Sequence, residues 1–369
     1  MLNFKISSKP KVLLFTKQLD MSPTGGRELL CKLNHDVLRE IYGEQLLLYE
    51  LPRRPLQGTR SIFKAFKGHI DGLDESTIAI AMQIIQRKNI DKVFVDGSNL
   101  GDFVKAVKAR HPEVEVGTFF HNVEARFFLG SLCEKKSLRA MAILVVNYLA
   151  ERKSVRYSDK IICMSQRDSC LLQNVYGRPA THVSPMAMQD KMPTNFDQCH
   201  KPQPEKFALF VGGIFYANRA GISWFVKHVV PRIHIKICIV GRGFEAFKEE
   251  LECEGKVQVV GAVENLADWY RDAHFVIAPI FDGSGMKTKV AEALMFGKKI
   301  VGTPEAFSGY EDVVSRAGWS CTTVDDFVAA ISCAKNEIKL SFDPQLRRLY
   351  EELYSQSVAK VRLELILSE

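Results

Sequence analysis

Pro279-Ile-Phe-Asp-Gly-Ser-Gly-Met-Lys-Thr-Lys-Val-Ala-Glu-Ala-Leu294 decides how the rest of the chain is read. An apolar run over residues 275–280 stops at a glycine-flanked turn. A helical pattern over 286–296 follows, with Gly297 placed to end it. The turn around Gly283 and Gly285 thus precedes a helix start, where unpaired backbone N–H groups and a partial positive charge favour an anion. Lys287 and Lys289 fall in the first turn, where cations oppose the helix dipole, so the pair makes sense if an anion offsets both. A glycine turn with solvated lysines is the plainer alternative. Glu292 lies among Val290, Ala291, Ala293 and Leu294, and a carboxylate in such company needs a partner.

Outward from this stretch, strands and helices alternate. Residues 207–212, 234–240, 257–260, 275–280 and 299–303 read as strands, with helices over 221–230 and 286–296. Upstream, residues 11–16, 45–49, 92–96, 115–120 and 160–164 read as strands. Leu30, Leu33, Val37 and Ile41 recur at helical spacing, and residues 75–87 and 101–110 are helical in pattern. Alternation of this kind predicts parallel strands joined by right-handed helical crossovers. Residues 187–206 break the rhythm with Pro193, Pro202 and Pro204. The chain therefore reads as α/β, with two doubly wound parallel-sheet domains: one over 1–190, a linker at 191–205, and a second over 206–345. A helical tail at 346–369 is expected to pack back on the first domain. Ligands of such sheets sit at the carboxyl ends of the strands, so a cleft between two facing domains is the expected site.

A chain of 369 residues, 46% hydrophobic and 25% charged, suits two soluble domains. Residues 1–200 hold 29 Lys and Arg against 21 Asp and Glu, and the remainder holds 21 against 22, so the halves are expected to meet different partners. The first apolar run, residues 12–15, is too short for a signal peptide, and no stretch approaches the ~20 apolar residues of a membrane span. Nine cysteines scattered as singletons suggest reduced thiols and a cytoplasmic location. Two clusters mix basic with apolar residues. Arg53, Arg54, Arg60, Lys64 and Lys67 accompany Leu51, Leu56, Ile62, Phe63 and Phe66, and Lys135, Lys136 and Arg139 precede the apolar run 141–149. They predict peripheral contact with an anionic membrane at its inner face. A basic face for an anionic saccharide or diphosphate acceptor is the alternative. The charge is dispersed and no nucleic-acid-reading module is visible, so no nucleic-acid partner is expected.

Three further segments stand at strand ends. Gly241-Arg-Gly-Phe-Glu-Ala246, with Glu264 about 20 positions on, formally matches a dinucleotide fingerprint, but it follows the second strand of its domain rather than the first. Thr24-Gly-Gly-Arg27 follows the first strand of the chain. Phe119-Phe-His-Asn-Val-Glu124 gathers His121, Asn122 and Glu124 at the end of another.

At these residues the sequence resembles the family 4 retaining glycosyltransferases, which have the GT-B fold of two facing Rossmann-like domains. The motifs Phe210-Val-Gly-Gly213, Tyr216-Ala-Asn218, Val240-Gly-Arg-Gly243, Val260-Gly261, Gly283-Ser-Gly-Met-Lys-Thr-Lys289, Glu292-Ala293 and Val301-Gly-Thr303 fall in the family's order and rough spacing. Gly25-Gly26, His121-Asn-Val-Glu124 and the run 151–176 match more thinly. The subgroup resembled includes bacterial surface-polysaccharide transferases. The resemblance implies that Glu292 hydrogen-bonds the nucleotide ribose and that Ser284 and Gly285 offer backbone amides near the donor sugar. It also implies that Gly25 and Gly26 approach the diphosphate and that His121 stands beside the transferred sugar. His121, Glu292 and Asp282 are thus the expected catalytic residues. Gly212, Arg219, Arg242, Val263, Lys287 and Lys289 complete the expected donor site. The chain departs from the family at two places. Ser284 replaces the first of two glutamates separated by seven residues, with Asp282 as a compensating carboxylate. Gly213 and Asn218 replace the diphosphate-gripping Arg and Lys, leaving Lys287, Lys289 or Arg219 as substitutes.

The resemblance implies transfer from a nucleotide-diphosphate sugar to a saccharide or lipid-linked acceptor, in polysaccharide or glycoconjugate synthesis. No metal is expected, since the chain has no Asp-x-Asp triplet and helix-terminal amides and lysines can stabilise a diphosphate. A nucleotide-sugar epimerase, a phosphorylase, a binding protein that has lost turnover and a dehydrogenase built on residues 241–246 are the competing readings.

Overall fold

The computed structural model describes residues 9–20, 25–53, 65–194, 196 and 206–369. Thr24, the cluster members Arg54, Leu56, Arg60, Ile62, Phe63 and Lys64, and the prolines at 202 and 204 lie outside the described residues. The chain divides into two units. Residues up to 23, 27–185 and 359–369 form the first, and residues 24–26 with 186–358 form the second.

The first unit carries β1 (Val12–Lys17), β2 (Leu46–Leu51), β3 (Lys92–Asp96), β4 (Glu115–Phe120), β5 (Lys160–Cys163) and β6 (His182–Val183) in the order β2-β1-β3-β4-β5-β6. Every pairing is parallel, with Phe15 opposite both Tyr49 and Val95. Helices α1 (Gly26–Tyr42), α2 (Glu75–Lys88), α3 (Gly101–Arg110), α4 (Glu124–Lys135), α5 (Leu138–Tyr157) and α6 (Gln166–Tyr176) make the crossovers. A parallel sheet covered on both faces needs near-continuous apolar strands. Accordingly Leu13, Phe15, Val93, Val95 and Val116 are buried with Phe103, Val104 and Val107 of α3. The Phe15 and Phe103 rings stack at 3.7 Å.

The second unit carries β7 (Phe207–Val211), β8 (Lys236–Val240), β9 (Val257–Gly261), β10 (Phe275–Ala278), β11 (Ile300–Gly302) and β12 (Gly318–Ser320) in the order β12-β11-β10-β7-β8-β9, again all parallel. The helices that matter below are α7 (Tyr216–His228), α8 (Leu266–Asp272), α9 (Thr288–Met295), α10 (Val324–Glu337), α11 (Pro344–Leu353) and α12 (Gln356–Ser368). Winding reverses between β1 and β3 in the first sheet and between β7 and β10 in the second. At such reversals the crossovers leave the sheet on opposite faces and open a crevice at the strands' carboxyl ends.

Two expectations about the chain's course differ from the structure. The second unit begins at Met186, ahead of the expected linker at 191–205, of which residues 195 and 197–205 lie outside the described residues. Met186, Ala187 and Met188 are buried, Met188 N–H bonds Tyr354 O at 2.8 Å, and Phe196 packs against Phe296 at 5.4 Å between ring centroids. Isolated anchors of this kind leave no periodic signal. The tail is two helices rather than one, broken at Tyr354-Ser355, and only residues 359–369 belong to the first unit. There Lys160 Nζ donates to Ile366 O at 2.8 Å and Lys92 Nζ to Leu367 O, cations at a helix C-terminus where the dipole favours them. Among the described residues no helix is long and apolar enough to cross a membrane.

One glycine sets the spacing between α7 and the end of β10. A Cβ at Gly221 would lie 1.7 Å from the Pro279 carbonyl oxygen, and neither backbone can yield cheaply. Gly221→Ala is expected to destabilise the protein by roughly 1–3 kcal/mol, as overpacking of a tight contact does. In a thermal melt of the full chain the second unit's transition should drop by several degrees. A variant melting with the wild type would show that the approach is not tight.

Candidate functional site

The crevice of the second unit is built from the ends of β7 and β10. Past β10, Pro279 and Ile280 remain buried, and Thr303 after β11 donates its hydroxyl to Ile280 O. Gly283 at φ +147° and Gly285 at φ +65° make the turn, conformations that side chains rarely adopt. Asp282 Oδ1 accepts its neighbour's amide, Gly283 N, at 2.8 Å, and Tyr216 donates to Oδ2 at 3.3 Å. Helix α9 then starts with no side chain capping it.

Lys287 and Lys289 part company here. Lys287 turns back onto Gly285 O and Glu305 Oε1, both at 2.9 Å, so its charge is already balanced. Lys289 is buried and reaches across the reversal to the end of β7. Its Nζ donates to Asn218 Oδ1 at 2.8 Å and lies 4.6 Å from the centre of the Phe210 ring. A Cβ on Gly212 would sit 3.3 Å from that nitrogen and 2.8 Å from Asn218 Nδ2, so the chain approaches the lysine closely there. Burial pushes Lys289 down to about 7, against the pull of Glu292. Glu292, one turn further along α9, is also buried, which raises its carboxyl. Lys191, a 3.3 Å hydrogen bond from Tyr270 and Lys289 pull the other way. A lysine and a glutamate are thus buried one turn apart, each turned from its charged form by burial and drawn toward it by the other.

Other expected donor residues lie apart from this pair. Arg219 points to Glu250 at 3.5 Å and stacks over Phe247 at 4.0 Å, away from Lys289. One step along α7 turns it roughly 100° from Asn218, which is the residue that meets Lys289. Arg242 is exposed and fixed through its carbonyl, which accepts from Ile214 N at 2.9 Å, and Val263 is half-buried after β9. The loop 241–246 resembles a dinucleotide cradle in sequence only. Glu245 accepts from Gly243 N and Ala262 N, both at 2.6 Å, so a carboxylate of the chain itself fills the place a phosphate would take. An open cavity of about 1000 Å3 alongside is lined by Glu245, Glu249, Glu252 and Glu254 with Lys236, Lys248 and Lys256, so its charges nearly balance.

In the first unit the crevice between β1 and β3 holds a buried network around Asp96. Thr16 Oγ1 donates to it at 3.0 Å and Asn34 Nδ2 at 2.9 Å, and His121 Nε2 lies 2.6 Å away. Cys31 Sγ is 4.0 Å from the same imidazole nitrogen. Burial alone would raise Asp96, but His121, Asn34 and Cys31 outweigh it and hold the carboxyl down at about 2. His121 is therefore enclosed beside Asp96 rather than presented openly at the strand end.

Nearer the start of α1, Arg27 pairs with Asp71 at 3.2 Å and donates to Asn99 at 3.0 Å, while Lys17 meets Asp71 at 3.0 Å. Gly25 and Gly26 immediately precede Arg27 and are exposed. Glu124, the first residue of α4, is buried, and among the described residues its carboxylate accepts no hydrogen bond. Burial raises its carboxyl against the pull of Arg27. Behind it Glu151 accepts from the amides of Glu124 (2.9 Å) and Ala125 (3.2 Å), from Ser98 (2.8 Å) and from Tyr176 (2.7 Å). Burial, then the charge of Glu124, push Glu151 up to about 7. Asp71 and Asp96 escaped the sequence reading, and Arg27 and Glu151 entered it only at the ends of quoted runs, without a role. A carboxylate closing the apolar strand 92–96 was the one available signal.

A family model described as glycosyl transferases group 1 matches residues 205–336. Sucrose-phosphate synthase from Thermosynechococcus elongatus superposes with a TM-score of 0.74 at 13% identity, covering 97% of this chain and 98% of that one. HepE of Anabaena, solved with UDP, gives 0.69 at 12% identity over 97% and 99%. A lipopolysaccharide outer core galactosyltransferase, WaaB, gives 0.63 at 14% over 97% and 100%. No curated protein sequence matches the chain. Identities this low establish the fold, which is GT-B.

Asp96 makes the first unit acid-sensitive. Its folded-state value lies below the ordinary one, so its stabilisation is complete above about pH 4 and is lost as pH falls through about 2. The contribution is about 2 kcal/mol at neutral pH. Urea titrations at pH 6 and pH 3 should show Asp96→Asn less stable than wild type at pH 6 and closer to it at pH 3. A gap of equal size at both values would contradict the ionised network.

Proposed function

We propose that the protein is a retaining glycosyltransferase that moves a sugar from a nucleoside-diphosphate sugar to a saccharide or lipid-linked acceptor, in polysaccharide or glycoconjugate synthesis. The observation that carries this reading is the pair of buried charges on α9, Lys289 and Glu292, at the strand-order reversal of the second unit. A diphosphate fits beside Lys289 and the amides of residues 283–285, and a ribose offers hydroxyls that Glu292 can accept. Departure of the nucleoside diphosphate develops negative charge, which a desolvated lysine and fixed amides stabilise without reorganising. Lys289, rather than Lys287 or Arg219, replaces the diphosphate grip absent at Gly213 and Asn218. The group 1 match over 205–336 and the likeness to HepE, solved with UDP and with UDP-glucose, support the choice of donor. The retaining outcome rests on the sequence resemblance.

In the first unit, Glu124 with Arg27 and Asn99 is the group suited to acceptor hydroxyls. The charges of Lys17, Arg27, Asp71 and Glu124 balance, which favours an uncharged, hydroxyl-rich sugar there over an anion. The donor diphosphate is served by Lys289 and backbone amides, so turnover needs no metal ion. A lipid-linked acceptor would bring the enzyme to a membrane surface.

Calorimetry with UDP tests the donor site in two ways. Glu292→Ala should weaken binding by roughly one to two decades, the loss of a charge-assisted hydrogen bond. An arriving diphosphate re-charges Lys289, so above about pH 7 binding should take up a proton and weaken with rising pH. Heats should then depend on the buffer's own ionisation, and Lys289→Met should abolish that dependence. Unchanged affinity in Glu292→Ala would move the ribose elsewhere.

Turnover itself is tested by mass-spectrometric detection of nucleoside diphosphate released from a panel of donor sugars. Release should persist in EDTA. Activity that vanishes on chelation and returns with magnesium or manganese would contradict metal independence, and binding without any release would favour a protein that has lost turnover.

A further inference from the structure

Helix α5 is apolar on two sides. Its inner side buries Ala140, Val146, Ala150 and Val155. Its outer side should then be polar, as on an ordinary surface helix, and it is not. Leu138 is 85% exposed, Met141 51%, Val145 39% and Leu149 38%. At 100° per residue these four fall on one stripe, and Arg152 and Arg156 continue it, the whole set lying within about 80° of arc. Both arginines are exposed, as are Lys136 and Arg139 at the other end. The lone acidic residue between 136 and 157, Glu151, is buried beneath the amides of α4. The outer face is therefore an apolar strip some three turns long, with cations at both ends and, among the described residues of α5, no carboxylate.

We propose that this face of α5 docks the protein onto an anionic lipid bilayer, lying in the plane of the interface. The charge pattern selects the occupant. A second copy of the chain, set face to face and antiparallel, would bring Lys136 and Arg139 against Arg152 and Arg156. An apolar strip bounded by cations instead matches acyl chains beneath anionic headgroups, where the side-chain stems lie along the boundary and the charges reach the phosphates. The apolar part is too short to span, and insertion is confined to one side of one helix. This surface gives the lipid-linked acceptor reading a location. It stands on the exposure of α5 alone, so its test is separate from that of the donor site.

The full chain is sedimented with vesicles of phosphatidylglycerol and phosphatidylcholine in equal parts, and with phosphatidylcholine alone, at low and raised salt. Wild type should pellet with the anionic vesicles at low salt and be released by salt. Val145→Asp, in the middle of the strip, and the pair Arg152→Glu with Arg156→Glu should each lower partitioning by about tenfold or more. These positions are exposed, so thermal melts and UDP calorimetry should match wild type, which separates lost docking from lost folding or lost donor binding. No pelleting of wild type with anionic vesicles at low salt overturns the proposal, as does equal pelleting of the variants. A dimer in analytical ultracentrifugation that Val145→Asp dissociates would assign the face to a second copy instead.

Discussion

Lys289 and Glu292 stand one turn apart on an eight-residue helix, and both are held out of water. Their surroundings follow from that constraint. A lysine in such a place disfavours its own charge until an anion arrives. The chain therefore brings up a weak partner in Asn218 and an aromatic face in Phe210, and keeps a glycine at 212 where a side chain would displace the amine. Asn218 can reach because α7 lies close against the end of β10, and α7 lies close because residue 221 has no Cβ. Tyr270, stacked on Phe296 at 4.5 Å, supplies the hydroxyl that keeps Glu292 from being wholly unsolvated.

Elsewhere the protein closes its polar openings with carboxylates of its own. Glu245 fills the loop after β8, Glu151 the start of α4, and Asp96 collects three polar side chains at the end of β3. Each of these carboxylates already has at least two donors. Lys289 and Glu124 are different, since their charges are buried but incompletely answered. Satisfied groups rigidify the crevices, and the unsatisfied ones are where a ligand gains most from arriving.

The long strands were legible because a parallel sheet covered on both faces requires apolar runs, and residues 92–96 and 115–120 coincide with β3 and β4. β6 and β12 were not, because strands of two and three residues carry no period. The first turn of α7 was missed since Tyr216, Ala217 and Asn218 give no apolar stripe ahead of Gly221. Glu292 could be singled out because a carboxylate among valine, alanine and leucine is locally anomalous. The partners that decide Asp96 and Arg27 could not, since Asn34, Asp71, Asn99 and His121 lie 25 to 72 positions away along the chain and meet only once the sheet has formed. Arg219 could not be placed from sequence either, since its direction is set by Glu250 and Phe247, about 30 positions away.

The discontinuity of the first unit has a consequence for how the protein is made. Leu363, Ile366 and Leu367 are buried in that unit, and the carbonyls of residues 366 and 367 receive Lys160 and Lys92. During synthesis β1 to β6 emerge first, yet the helix that completes their core appears only after the whole second unit has been translated. At about 5–20 residues per second the gap is on the order of ten seconds or more. Throughout that interval Lys92 and Lys160 of the nascent sheet have Glu115 but not the helix-end carbonyls, and an apolar patch lacks its cover. The first half of the polypeptide is thus the last to reach its final stability, and a chain cut after residue 358 would leave it permanently unfinished.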